Sequence, residues 1–115
     1  MVCVGMGTDD ILIRALALSR RAVSEVFGLE CEADERAVFA DAGKQARAVV
    51  AVRQLSLWAM RDVFGLTLGE IAHRTGIARR NVMRSVARIR FLSRVEDDYE
   101  HASRMIRREA EGDGE

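Results

Sequence analysis

The stretch TLGEIAHRTGIARRNVMRSVARIRFLSR, Thr67 to Arg94, decides how this chain is read. Thr67-Leu68-Gly69-Glu70 has the form of a capping box, a Thr hydroxyl that accepts from the helix N-terminus and a Glu three residues on that reaches back. The helix it opens, Leu68–Arg74, is short and stops at Thr75-Gly76-Ile77, where Gly76 supplies the positive φ of a tight turn. A longer helix starts near Ala78 and runs to about Arg94. Short helix, glycine turn, longer helix is the plan of a helix-turn-helix. Ile71, Ile77 and Val82 are placed to hold the two helices together, and Ala72 is small where they cross. Ser85 departs from the pattern, standing where such motifs carry an apolar residue, while Val86 and Ile89 keep the buried stripe.

Rotating the second helix at 100° per residue separates its faces. With Val82 as the inward direction, Val86 and Ile89 fall within about 40° of it. Arg80, Arg84 and Arg88 fall at about 160°, 200° and 240°, with Asn81 beside them at about 260°. Arg can pair bidentately with guanine and Asn with adenine, so this face suits the major groove of a duplex. The N-terminal residues Arg79, Arg80 and Asn81, and then Arg84, are the candidate base readers. Arg88, Arg90 and Arg94 lie further along, where phosphates are nearer. Arg90 and Arg94 have an alternative in ion pairs with Glu96, Asp97 or Asp98.

The rest of the chain explains why that helix stands out. The 115 residues carry 18 basic and 18 acidic side chains, a net charge of zero. The distribution is uneven: residues 25–41 sum to −5, residues 74–94 hold seven Arg and no acid, and residues 95–115 sum to −5 again. Seven Arg in so short a segment form a candidate phosphate-binding surface. Arg makes up 17 of the 18 basic residues, so its position, not its type, carries the information. Acidic surfaces at Glu30–Glu35 and Glu96–Glu100 are the alternative partner faces.

Upstream, Leu12, Ala15, Leu16, Ala22, Val23, Val26 and Phe27 recur at helical spacing behind a Thr8 N-cap, and Gly28 stops the run. A second helix is expected over about Glu32–Ala40. A third, about Gln45–Phe64, is apolar almost all round and belongs at the centre of a bundle, with Trp58 as a packing element rather than a base-stacking platform. No alternating apolar pattern or hairpin signal is present and proline is absent. The expected fold is all-α, a compact bundle of about six helices within residues 9–110. The helix-turn-helix occupies 67–94, residues 1–8 form a flexible N-terminus, and a Glu/Gly tail over 109–115 frays. Forty-nine per cent apolar and 31% charged residues are the profile of a single soluble domain. No stretch is long and apolar enough for a membrane span or signal peptide, which directs the expectation to a cytoplasmic location with reduced Cys3 and Cys31.

Arg53-Gln54 entering the long apolar helix, Leu66-Thr67-Leu68-Gly69-Glu70-Ile71, Val82 and Ala87-Arg88-Ile89 resemble the C-terminal DNA-binding domain of the bacterial replication initiator DnaA. Val23-Ser24-Glu25-Val26-Phe27-Gly28-Leu29 looks like that family's first-helix exit, so the likeness covers roughly residues 10 to 110. The resemblance implies that a basic loop at Lys44, Gln45 and Arg47 enters the minor groove. It places Arg53, Gln54 and the backbone of Thr67 and Leu68 near phosphates. The family's Asp-His-Thr-Thr signature is replaced by Ala78-Arg79-Arg80-Asn81, and its Pro by Gly69, so its target sequence does not carry over. No GxxxxGK[ST] stretch is present. As a stand-alone module the chain also resembles the DNA-binding half of the activation factors of phage-like gene transfer agents.

Catalytic chemistry finds no footing. His73 and His101 lack Cys partners at metal-ligand spacing, and the acidic runs read as solvated helix starts. The expectation is a non-enzymatic, sequence-specific binder of double-stranded DNA acting in transcription, with no cofactor or metal and an open oligomeric state. The alternative is an interaction module that docks an RNA polymerase subunit or replication partner through its acidic surfaces.

Overall fold

Helix α3 (Arg47–Trp58) sits at the centre because it has almost no polar face. Val52, Leu55, Leu57 and Trp58 are each at most 4% exposed, and α1 (Thr8–Ala22) and α5 (Arg79–Val95) pack against it. Burial of each such side chain contributes about 1.5–3 kcal/mol. The computed structural model describes residues 7–40 and 45–112, and every regular element among them is helical. The remaining helices are α2 (Glu35–Val38), α4 (Leu68–Thr75) and α6 (Asp97–Gly112). Helix α6 closes the bundle against α1 and α5 through Ala102, Ile106 and Ala110. The radius of gyration, 12.9 Å, is that of one close-packed domain of this length. Among the described residues no helix is long and apolar enough to cross a membrane.

Several boundaries differ from the sequence reading, each for a local reason. Gly7, not Thr8, is the N-cap of α1, and Thr8 is already helical. Helix α2 has only four residues, because the Asp34 carboxylate accepts from the Ala37 amide at 2.9 Å and so fixes the start there. Helices α1 and α3 both end in a wider π turn, over Val23–Phe27 and Ala59–Val63. Where fraying is expected from Glu109, helix α6 runs on to Gly112. The Glu109 carbonyl accepts from Arg14 at 3.0 Å, its carboxylate accepts from Arg21 at 2.8 Å, and Ala110 is 1% exposed. Residues 1–6 of the expected flexible N-terminus and 113–115 of the tail lie outside the described residues.

The α4–α5 pair follows the local signals closely. The Thr67 hydroxyl accepts from the Glu70 amide at 3.1 Å, and the Glu70 carboxylate accepts from the Thr67 amide at 2.8 Å. Gly76 ends α4 with φ +79°, a conformation that carries a steric cost for any L side chain. Ile71, Ile77 and Val82 are buried at the junction.

Candidate nucleic-acid interface

Helix α5 turns one apolar edge inward and leaves the rest to solvent. Val82, Val86 and Ile89 are fully buried and Leu92 is 6% exposed, which fixes the rotation of the helix. Arg79, Arg80, Arg84 and Arg88 are all exposed as a result. Asn81 and Ser85, on the flank, are half-buried.

The seven Arg of residues 74–94 divide into two groups. Arg74 is held by Asp9 and by Glu35, the latter at 2.9 Å, and so ties α4 to the first turns of α1 and α2. Arg90 makes a two-pronged ion pair with Asp62, both contacts at 2.7 Å, which fastens α5 to the π turn after α3. Hydrogen bonds to these carboxylates raise both guanidinium pKa values, Asp9 acting most on Arg74 and Asp62 on Arg90. Arg79, Arg80, Arg84, Arg88 and Arg94 have no acidic partner among the described residues. Arg90 therefore finds its carboxylate on Asp62 rather than on the expected Glu96, Asp97 or Asp98, and Arg94 pairs with none of them.

The start of α5 adds to this positive surface. Its N-cap, Ala78, offers no side-chain acceptor, and its first turn contains no acid and two Arg. Helix N-termini carry partial positive charge and exposed amide donors, so Arg79 and Arg80 sit where acidic side chains are favoured. Helices α2 and α4 are capped by Asp34 and Thr67, whereas α5, like α1 and α3, has no side-chain cap.

Between α3 and α5 lies a cleft of about 270 Å³, lined by Arg53, Leu57, Ile77, Asn81, Arg84 and Ser85. Two guanidinium groups, an amide and a hydroxyl thus stand over an apolar floor, with no carboxylate among the described lining residues. Arg53 donates to the Ala40 carbonyl at 3.1 Å and to the Gln45 side chain, both neutral acceptors, and makes no ion pair among the described residues. Ser85 explains its own departure from the apolar pattern, since it contributes a hydroxyl to the wall of this cleft.

The other expected contact residues are more scattered. Gln45 is engaged on both sides, donating to the Ala37 carbonyl at 3.3 Å while accepting from Arg53. Arg47 is exposed at the first turn of α3. Gln54 is half-buried next to Arg53 in sequence. The Thr67 amide is already taken by Glu70, which leaves the Leu68 and Gly69 amides at that helix end, and neither Thr67 nor Leu68 lines the cleft. Lys44 lies outside the described residues. Trp58 is buried, with the Arg107 guanidinium 5.5 Å from its ring centre.

Sequence reasoning missed that Arg53 shares a cleft with Asn81 and Arg84; the one available signal was the polar Ser85. Part of the acidic surface has internal work to do. Glu30 accepts from the Ser24 hydroxyl at 2.6 Å, Asp34 caps α2, Glu35 holds Arg74, and Glu100 pairs with Arg104 at 2.6 Å. Among the described residues no group of three His, Cys, Asp or Glu side chains is placed to hold a metal ion. No protein-family model, curated protein or solved structure matches the chain.

Proposed function

We propose that the chain is a sequence-specific binder of double-stranded DNA that acts as a transcription regulator, built like the C-terminal domain of DnaA. In this reading α4 and α5 act as a helix-turn-helix, with α5 in the major groove and the segment from Lys44 to Arg47 in the minor groove. The observation that carries it is the outward row of Arg80, Arg84 and Arg88, exposed and without acidic partners among the described residues, on a helix whose Arg90 is consumed by an ion pair. The N-terminus of α5, which has no side-chain cap, and Arg53, which has no acidic partner among the described residues, support the same reading, since both gain from a nearby phosphate.

The test is selection from a random duplex pool at physiological salt, followed by titration of the full chain across salt concentrations. With about six phosphate contacts, log affinity falls against log salt with a slope of about −5. Arg80→Ala changes the preferred sequence, whereas Lys44→Ala weakens all sequences alike. Binding indifferent to Arg80 and Arg84 refutes the reading. It would favour docking of a polymerase subunit or replication partner through the acidic surfaces.

A further inference from the structure

Resting on the DNA-binding reading, we infer that Arg80 and Arg84 read two guanines that lie no more than two base-pair steps apart, and that this pair sets the preferred site. The first reason is donor chemistry. A guanidinium group has five donors and no acceptor, and guanine alone shows two acceptors, N7 and O6, in the major groove. Adenine pairs its acceptor with a donor, cytosine shows a donor, and thymine shows one acceptor beside a methyl group. Residues 79–95 contain no Asp or Glu, so α5 carries no carboxylate to receive the cytosine or adenine amino group. The one two-sided group, Asn81, is half-buried in the wall of the α3–α5 cleft, to the side of the row.

The second reason is which arginines are available and where they stand. Arg74 and Arg90 are held by carboxylates. In a helix-turn-helix the first turns of the second helix meet the base edges, and Arg80 and Arg84 are the exposed Arg of those turns opposite the buried Val82. Arg79 lies toward the flank, about 60° from the inward direction. Arg88 lies a further turn along, where the groove curves away and phosphates are closer.

The third reason is spacing. Four residues of helix advance about 6 Å, and stacked bases are about 3.4 Å apart. Two forks one turn apart therefore span fewer than two base steps.

The probe is the most enriched duplex from a random 14-base-pair pool, and the same duplex with single guanines replaced by 7-deazaguanine. That change removes N7 and leaves pairing and phosphates intact. At two guanines within two steps of each other, the replacement is expected to weaken binding about 5- to 150-fold each, and to have little effect elsewhere. Arg80→Ala and Arg84→Ala remove every side-chain donor to N7. Each is expected to abolish the penalty at one of the two guanines and to leave the penalty at the other in place. Enriched sites without such a guanine pair overturn the inference. So does salt-dependent binding indifferent to 7-deazaguanine, which overturns it while leaving the DNA-binding reading in place. Absence of duplex binding at low salt overturns both.

Discussion

Replacing Arg90 and Arg84 by Ala, one at a time, separates an arginine that holds the fold from one that waits for a ligand. Both lie on α5, six residues apart. The Arg90–Asp62 pair has two 2.7 Å contacts, with Arg90 43% and Asp62 18% exposed, so it stands between an exposed and a buried ion pair. Exposed pairs contribute about 0.2–1 kcal/mol, and two-pronged geometry with partial shielding places this one near the top of that range, about 1 kcal/mol. For a domain of this size that corresponds to a fall in Tm of about 4 °C. Arg84 has no acidic partner among the described residues and lies on the exposed face, so Arg84→Ala is expected to change stability by less than about 0.5 kcal/mol. Thermal and urea unfolding followed by circular dichroism measures both, and a double-mutant cycle with Asp62→Ala isolates the pair energy. In duplex binding the order reverses. Arg84→Ala weakens the preferred site by about 1–3 kcal/mol, and Arg90→Ala leaves sequence preference unchanged. If Arg84→Ala destabilises the fold as much as Arg90→Ala, or if Arg90→Ala has no effect, the division of the arginines is wrong.

Three further substitutions test local parts of the scaffold by the same unfolding measurements. Thr67→Ala removes the hydroxyl half of the capping box and is expected to cost about 1 kcal/mol. Gly76→Ala meets open space but must adopt φ +79°, so a loss of about 1–2 kcal/mol is expected from backbone conformation alone. Ser56→Ala removes a fully buried hydroxyl that has no hydrogen-bond partner among the described residues, and is expected to be neutral or to stabilise by up to about 1 kcal/mol.

What could be read from the sequence was what local geometry determines. The helical period alone places Val82, Val86 and Ile89 inward and Arg80, Arg84 and Arg88 outward, and the structure keeps that division. The Thr67–Glu70 capping box and the Gly76 turn are likewise matters of three or four neighbouring residues. What escaped was set by partners distant in sequence. The acids nearest to Arg90 along the chain are Glu96 to Asp98, yet its partner is Asp62, brought alongside by the packing of α5 on α3 and its π turn. Glu109 looks like part of a loose acidic tail until α1 supplies Arg14 and Arg21 to hold it. The cleft that joins Arg53 to Asn81 and Arg84 depends on two helices whose sequences say nothing about each other. The capping box was legible, but its consequence, that the Thr67 amide is withdrawn from any outside acceptor, needed the geometry.

The most direct test of the claim that the outer face of α5 receives a duplex is to map which backbone amides respond. The full chain, labelled with ¹⁵N, is titrated with the duplex most enriched from a random pool. The account predicts that the largest amide shifts cluster at residues 78–88, at Lys44 to Arg47 and beside the cleft at Arg53 to Leu57, with Glu30–Glu35 and Glu96–Glu100 unmoved. Shifts concentrated on those acidic segments, or a spectrum that duplex leaves unchanged, would contradict it.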